Sequence, residues 1–389
     1  MTNQNKSKTE KRIFLSSPHM SDEMYERNFI REAFESNWIA PLGANVDGFE
    51  NELCEYTGSK YAVALVSGTA AIHLGLKYLG IDKDDIVFCS SLTFAASANP
   101  ILYQGAIPIF IDCDYETWNM SPEALEKAFK KYPNAKAVVT VNLYGQSADY
   151  DRIKKITKAY NVPILEDAAE SLGATYKGKQ TGTLGNIGVF SFNGNKIITT
   201  SGGGMLVSDS DVITKKVKFW STQSREDYPY YQHEEVGFNY RMSNVVAGIG
   251  RGQLRILDER ITKKKYIYEH YKRAFQDIEE IEMMPIADYG RPNYWLSCII
   301  LKAGSLVKMQ KIIKLLAYNN IEARHIWKPM HMQPIFKMND FITMNDFNTS
   351  CSEDIFSRGL CLPSDTKMTD EELERVEGIV KGILQKKTT

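Results

Sequence analysis

Lys196 stands in Ser191-Phe192-Asn193-Gly194-Asn195-Lys196, just past an apolar run and just before Thr199-Thr200-Ser201-Gly202-Gly203-Gly204. So many small and polar neighbours are poor packing material but suit an amine nucleophile whose surroundings depress its pKa. Taken alone, the residue reads better as a solvated loop lysine. Asp167 ends the stretch Val162-Pro163-Ile164-Leu165-Glu166. It therefore sits at the carboxyl edge of a strand, where parallel sheets bind ligands. A carboxylate there either holds a cationic ring nitrogen or caps a helix begun by Ala168, Ala169 and Glu170. In Val66-Ser67-Gly68-Thr69-Ala70-Ala71 an apolar strand passes into a helix. Backbone N–H groups and the Thr69 hydroxyl converge there, a geometry that suits a phosphate. By itself the stretch reads more simply as an ordinary turn capped by Ser67 or Thr69.

The conjunction weighs more than any member. A phosphate-type turn, a strand-end carboxylate and a loop lysine, in that order along one α/β stretch, are the three handles that pyridoxal phosphate requires. Phe94, in Ser90-Ser91-Leu92-Thr93-Phe94-Ala95, follows another strand and either stacks on a planar ring or belongs to the core. His73 shares a helix with Leu74 and Leu76 and reads as structural. The segment Arg324-His325-Ile326-Trp327-Lys328-Pro329-Met330-His331 is too polar, aromatic and kinked for plain core. Arg324, His325 and His331 are therefore candidate substrate contacts. The histidines and nearby acids lack a metal-ligand spacing, so no metal is expected.

These residues need a sheet to hold them. Short apolar runs recur between helix-like stretches at 62–66, 86–89, 107–111, 137–142, 162–165, 187–192 and 205–207. This rhythm predicts a mainly parallel, seven-stranded sheet buried on both faces. Ser121-Pro122-Glu123 is a helix start, with a capping hydroxyl, a first-turn proline and a carboxylate at the positive helix end. From Ser243 to about Phe275 the pattern is continuously helical and leads out of the sheet domain. Further helices are expected near Leu306 to Tyr318 and after Thr369, where Thr369 and Glu372 form a capping box ahead of Leu373, Val376, Ile379, Val380 and Ile383. The expected division is a polar, disordered tail over 1–12, a large α/β domain over 13–250 and a smaller α+β domain over 251–389.

Bulk composition excludes several classes. The 389 residues suffice for two cores, and 47 basic against 48 acidic residues leave no global field for nucleic acid or an anionic membrane. Six cysteines without a C-x-x-C pair argue against a structural metal and a disulfide framework, and fit a reducing cytoplasm. No apolar run approaches the roughly 18 residues of a membrane span, and the first residues lack a hydrophobic segment.

At Ser67-Gly68-Thr69-Ala70-Ala71, Glu166-Asp167-Ala168-Ala169-Glu170-Ser171 and Ser191-Phe192-Asn193-Gly194-Asn195-Lys196 the chain resembles the DegT/DnrJ/EryC1/StrS sugar aminotransferases. Pro41-Leu42-Gly43, Gly237-Phe238-Asn239-Tyr240-Arg241-Met242-Ser243 and Cys361-Leu362-Pro363-Ser364 extend the likeness from about Ile13 to the last helix. More narrowly, 192–205 and 321–331 resemble bacterial enzymes that aminate UDP-4-keto-6-deoxy-N-acetylglucosamine for bacillosamine-type and exopolysaccharide pathways. The resemblance implies a fold-type-I homodimer of aspartate aminotransferase architecture, with pyridoxal phosphate held as a Schiff base by Lys196 and its ring nitrogen paired with Asp167. It also implies that Gly68, Thr69 and Ser191 bind the phosphate, that Phe94 stacks on the ring and that Glu170 lies near the ring hydroxyl. Asn239 would contact the phosphate from the neighbouring subunit. The implied reaction is ping-pong, from L-glutamate to a nucleotide-linked keto-sugar. Relatives with histidine at the lysine position perform dehydration, so Lys196 points to transamination. The rivals are a 3-keto or a dTDP- or GDP-linked substrate, a lyase or cysteine desulfurase, and a non-catalytic binding regulator.

Overall fold

Strands buried on both faces cannot alternate polar with apolar residues, and the seven apolar runs form such strands in the computed structural model, which describes residues 11–305, 307–344 and 350–385. They are β1 (Tyr61–Leu65), β2 (Ile86–Ser90), β3 (Ile107–Ile111), β4 (Ala137–Val141), β5 (Ile164–Asp167), β6 (Ile187–Ser191) and β7 (Gly204–Ser208). Later come β8 (Ile281–Met283), β9 (Ser297–Leu301), β10 (Arg324–His325), β11 (Phe341–Ile342) and β12 (Gly359–Leu362). The large sheet runs β1-β7-β6-β5-β4-β2-β3-β11. It is parallel except for β7, which lies antiparallel to both β1 and β6. The sheet thus has eight strands where the sequence predicts seven. The extra strand, β11, is a two-residue edge pairing with Phe110 and Ile111, too short to show a period. A second sheet, β8-β9-β12-β10, is antiparallel.

Parallel strands place their carboxyl ends on one edge. The turns after β1, β2, β5 and β6 therefore open together, and the amino end of antiparallel β7 joins them there.

Helices α1 (Tyr25–Glu35), α2 (Ala44–Thr57), α3 (Gly68–Tyr78), α4 (Pro122–Lys131), α5 (Asn244–Leu254), α6 (Leu257–Phe275), α7 (Met309–Tyr318) and α8 (Asp370–Gln385) cover the sheets. The Ser121 hydroxyl accepts from Ala124 N–H (3.1 Å) to start α4, as predicted. The capping box of α8 is also formed, by Thr369 N–H to Glu372 (3.2 Å) and Glu372 N–H to Thr369 Oγ1 (3.3 Å). The continuous helix expected over 243–275 is instead two, broken at Arg255 and Ile256. Leu254, Ile256 and Leu257 are all buried. A straight helix would point Leu254 and Ile256 to nearly opposite sides, so the chain turns to bury both. Before the break, α5 approaches α1 so closely that a Cβ on Gly252 would lie 2.5 Å from Glu26 N.

Of the predicted tail, residues 1–10 lie outside the described residues, while Lys11 is ion-paired with Glu372 (3.1 Å). Two segments cross the proposed division at residue 250. The start of the chain joins the later part, through Ile13 N–H to Asn320 (3.1 Å), Leu15 N–H to Glu322 (3.1 Å), Ser364 N–H to Leu15 (2.7 Å) and Ser17 N–H to Asp365 (2.8 Å). In return β11 extends the large sheet. We keep the division as a proposal, with these two segments exchanged across it. Among the described residues no helix is long and apolar enough to cross a membrane.

Candidate active site

A cavity of about 280 Å³ opens at the carboxyl edge of the large sheet, lined among others by Gly68, Thr69, Phe94, Asp167, Glu170, Ser191 and Lys196. Seven candidates separated by up to 128 positions in the chain are thus neighbours in space, because each stands on or just after a strand ending at this edge.

At one end lies the start of α3. Ser67 is extended and its hydroxyl accepts from Ala70 N–H (3.0 Å). The N–H groups of Gly68 and Thr69 precede the first intrahelical bond, Ala71 N–H to Ser67 O (3.1 Å), and have no intrahelical acceptor. Ser191, at the end of β6, lines the same wall. Strand β7 closes the cradle from behind, since a Cβ on Gly204 would lie 2.4 Å from Gly68 N. Only glycine allows that approach. Helix charge and donors both favour a phosphate.

Neighbouring carboxylates on β5 take opposite tasks, because successive strand residues face opposite sides. Glu166 turns into the protein, where it accepts from Asn142 Nδ2 (2.8 Å), Gly182 N–H (2.6 Å), Leu184 N–H (2.7 Å) and Gly185 N–H (3.0 Å). Asp167 turns to the cavity. It accepts from the Ser97 hydroxyl (2.6 Å) and Ala169 N–H (3.1 Å), and Ser97 is in turn 2.8 Å from the Thr93 hydroxyl. Burial raises the Asp167 pKa, while the Ser97 and Ala169 donors and the Lys196 charge oppose it. Residues 169–173 form turns, so Asp167 caps a turn, not a helix, while also facing the cavity.

Lys196 is nearly enclosed, its side chain 12% exposed, with Nζ 3.7 Å from Glu170 Oε1. It lies over the Trp295 ring, 4.2 Å from the centroid. Glu170 accepts from Tyr144 N–H (2.8 Å) and Trp327 Nε1 (3.3 Å). Burial pushes its carboxyl up, and the Lys196 charge and these donors draw it down. Phe94, 53% exposed, faces Trp327 at the mouth, with ring centroids 5.4 Å apart.

The other candidates lie off this cavity. Arg324 is exposed and paired with Glu322 (2.7 Å). His325 packs on Phe356 at 5.7 Å. His331 joins Ser91 (2.7 Å) to Glu353 (2.9 Å) and stacks on Phe341. From that segment the side chain that reaches the cavity is Trp327. Asn239 is exposed, with its backbone bridged to Thr222. His73 is buried among Tyr103, Phe238 and Tyr240, as expected of a structural residue. Sequence reasoning missed Ser97 and Trp295. Ser97 sits in an Ala-Ala-Ser-Ala stretch with only its place after a strand as a signal, and Trp295 reads locally as core.

The residues present fit pyridoxal phosphate. A donor-rich helix start, a buried carboxylate and a lysine face one enclosed space, and Asp167 keeps two neutral donors that leave it able to meet a cation. The family model described as the DegT/DnrJ/EryC1/StrS aminotransferase family matches residues 21–381. The chain is 52% identical over 370 residues (94% of each chain) to EpsN of Bacillus subtilis, provisionally named a pyridoxal phosphate-dependent aminotransferase. It is 35% identical to the GDP-perosamine synthase of Caulobacter vibrioides, covering 96% of this chain and 98% of that one. Among solved structures it is similar to a DegT DnrJ EryC1 StrS aminotransferase from Brucella abortus, with a TM-score of 0.84 and 26% identity over 93% of this chain and 96% of that one.

Proposed function

Because the chain belongs to the DegT/DnrJ/EryC1/StrS aminotransferase family, we propose that it moves an amino group from L-glutamate to UDP-4-keto-6-deoxy-N-acetylglucosamine, working as a homodimer with shared active sites. The chain is a fold-type-I, pyridoxal-phosphate-dependent sugar aminotransferase acting on a nucleotide-linked sugar. The observation that carries the reading is Lys196 beside Glu170 in the cavity that also holds Asp167 and the start of α3.

Bound pyridoxal phosphate supplies an electron sink that lets the Cα–H bond of an amino acid break. The protein supplies position and protons. The start of α3 and Ser191 bind the phosphate. Asp167, which accepts from Ser97 and Ala169, would pair with the ring nitrogen and favour its protonated form. Lys196 would hold the cofactor and, once freed, serve as the base that accepts the proton from Cα, with Glu170 beside it to stabilise the ammonium form. Phe94 and Trp327 exclude water at the mouth. None of the six cysteines lines this cavity, and burial raises the thiol pKa of Cys54, Cys89, Cys113, Cys298 and Cys351, which disfavours a desulfurase. The described cysteines are free, and Cys298 and Cys361 stand 3.6 Å apart as thiols, which supports a reducing cytoplasm.

The UDP-linked substrate rests on the likeness of 192–205 and 321–331. Offered glutamate and a panel of keto-sugars, the enzyme is expected to favour the UDP-4-keto compound by about tenfold or more in kcat/KM, near 1.4 kcal/mol. Mass and NMR identify the product. Efficient amination of a GDP-linked 4-keto or a dTDP-linked 3-keto sugar, with none of the UDP compound, would overturn it.

The shared site is supported by Asn239, which lies exposed and away from its own chain's cavity. It is also supported by exposed apolar side chains that a partner would cover, among them Trp38, Ile39, Leu42 and Phe94. Mixing Lys196→Ala and Asn239→Ala chains tests it. In a shared arrangement the heterodimer has one site with both defects and one with neither, so activity returns on mixing. With each site built from one chain, every site keeps a defect. No recovery above the parents, with heterodimers demonstrated and the Asn239→Ala parent impaired, would refute sharing through Asn239.

A further inference from the structure

Trp295 is 1% exposed and stands where the later part of the chain meets the lysine loop. Its indole Nε1–H donates to the carbonyl of Asn195 (2.8 Å), the residue before Lys196. Its ring lies beneath the Lys196 amine at 4.2 Å. The indole is itself held firmly. Its peptide N–H donates to Asn293 Oδ1 (2.9 Å), and its carbonyl accepts from Lys264 Nζ (3.0 Å), which also donates to Ser16 Oγ (3.0 Å) and Ser364 O (2.5 Å). Tyr144 stacks nearby, with centroids 6.3 Å apart. Asn293 further donates to the carbonyls of Glu170 and Leu172, both at 2.9 Å. One short buried segment thus grips both Lys196 and Glu170.

From this juxtaposition we propose that Trp295 is a positioning residue for Lys196, fixing its loop through the indole N–H and seating its free amine as an ammonium on the ring face. The inference rests on the transaminase reading and adds a residue to it. A ring face attracts an ammonium and offers little to a neutral amine. Trp295 therefore favours the state in which Lys196, released from the cofactor, carries the Cα proton. Glu170 acts on the same ammonium from the side, and Asp167 contributes a weaker charge through the cavity. A residue that only filled space would need neither the buried N–H nor its partner carbonyl.

The test begins with borohydride reduction of the unmutated holoenzyme. Label on Lys196 establishes the underlying reading, and its absence there would defeat that reading whatever Trp295 does. Apoprotein of the wild type, Trp295→Phe and Trp295→Leu is then mixed with pyridoxal phosphate across pH, and linkage to Lys196 is followed by absorbance. Linkage needs the neutral amine, so the midpoint of the rate profile reports how firmly the ammonium is held. Loss of the ring face in Trp295→Leu is expected to lower that midpoint by about one pH unit. Trp295→Phe, which keeps a ring but loses the N–H, should hold the midpoint closer to wild type and link about threefold or more slowly at every pH. In the glutamate half-reaction the leucine variant should lose about tenfold in kcat with KM little changed, and show a larger α-deuterium isotope effect. If Trp295→Leu does not fold, Trp295→Phe carries the test through its linkage rate. Wild-type midpoints and rates in the folded variants would overturn the proposal.

Discussion

Alanine in place of Lys196 is expected to abolish useful turnover while leaving a protein that still binds pyridoxal phosphate. The cradle at α3, Ser191 and Asp167 do not depend on the lysine for their hydrogen bonds, so noncovalent binding should survive. What disappears is the covalent tie and the base for both proton transfers. Proton transfer alone accounts for about 10²–10⁴-fold in rate, and loss of the tie adds to it. Borohydride should fix cofactor to the Lys196 peptide in the wild type and to none in the variant. Added methylamine, small enough for the vacated space, should restore a fraction of the activity. Label on another lysine, with Lys196 unmodified, would remove the central assignment.

Asp167→Asn is the second large effect. Here the folded protein places the carboxyl in a dry setting whose burial raises its pKa, with Ser97, Ala169 and the Lys196 charge acting in the opposite direction. A cationic ring nitrogen at this position would add to those and favour the carboxylate. Asparagine is nearly the same shape, but Ser97 and Ala169 donate to different oxygens of the carboxylate, so its NH₂ must replace one acceptor, and the neutral amide no longer favours a protonated ring nitrogen. Breaking one side of a buried charge pair costs about 3–5 kcal/mol, equivalent to roughly 10²–10⁴-fold in rate. The variant should retain cofactor and lose turnover by that factor, measured as kcat for the glutamate half-reaction. Near-normal kcat would reduce Asp167 to the cap of the turn at Ala169. Glu170→Gln should be milder, because the amide oxygen still accepts from one of its two donors, Tyr144 N–H or Trp327 Nε1–H, and the residue does not set the charge of the ring.

The central site was legible because its residues sit at strand ends, and strand ends are marked by the passage from apolar to small and polar residues. Asp167 was separable from Glu166 by place, as the last residue of the strand. The cradle at Ser67 and the lysine loop were each ambiguous, and order along the chain resolved them. Ser97 and Trp295 carry no such mark. Their importance comes from contacts across 70 and 100 positions, with Asp167 and Asn195 respectively. The same limit applies to the edge strand β11, whose two residues have no period of their own, and to the break between α5 and α6, which depends on what must be buried on each side. Arg324, His325 and His331 draw notice for their chemistry; in the folded chain they contact Glu322, Phe356, and Ser91 with Glu353, outside the cavity lining, and their contact with substrate stays a proposal.

The stitching of residues 13–17 to the far part of the chain has a temporal consequence. Leu15 and Ser17 are bonded to Glu322, Ser364 and Asp365, separated by 307 to 349 positions. On a ribosome that makes about 5–20 residues per second, the early segment waits roughly a quarter of a minute to a minute for its partners. By then β1 to β7, which all lie within residues 61–208, have long been synthesised, so the residues of the phosphate cradle and Asp167 are made before Ser364, the last of the partners that hold Lys264 against Trp295.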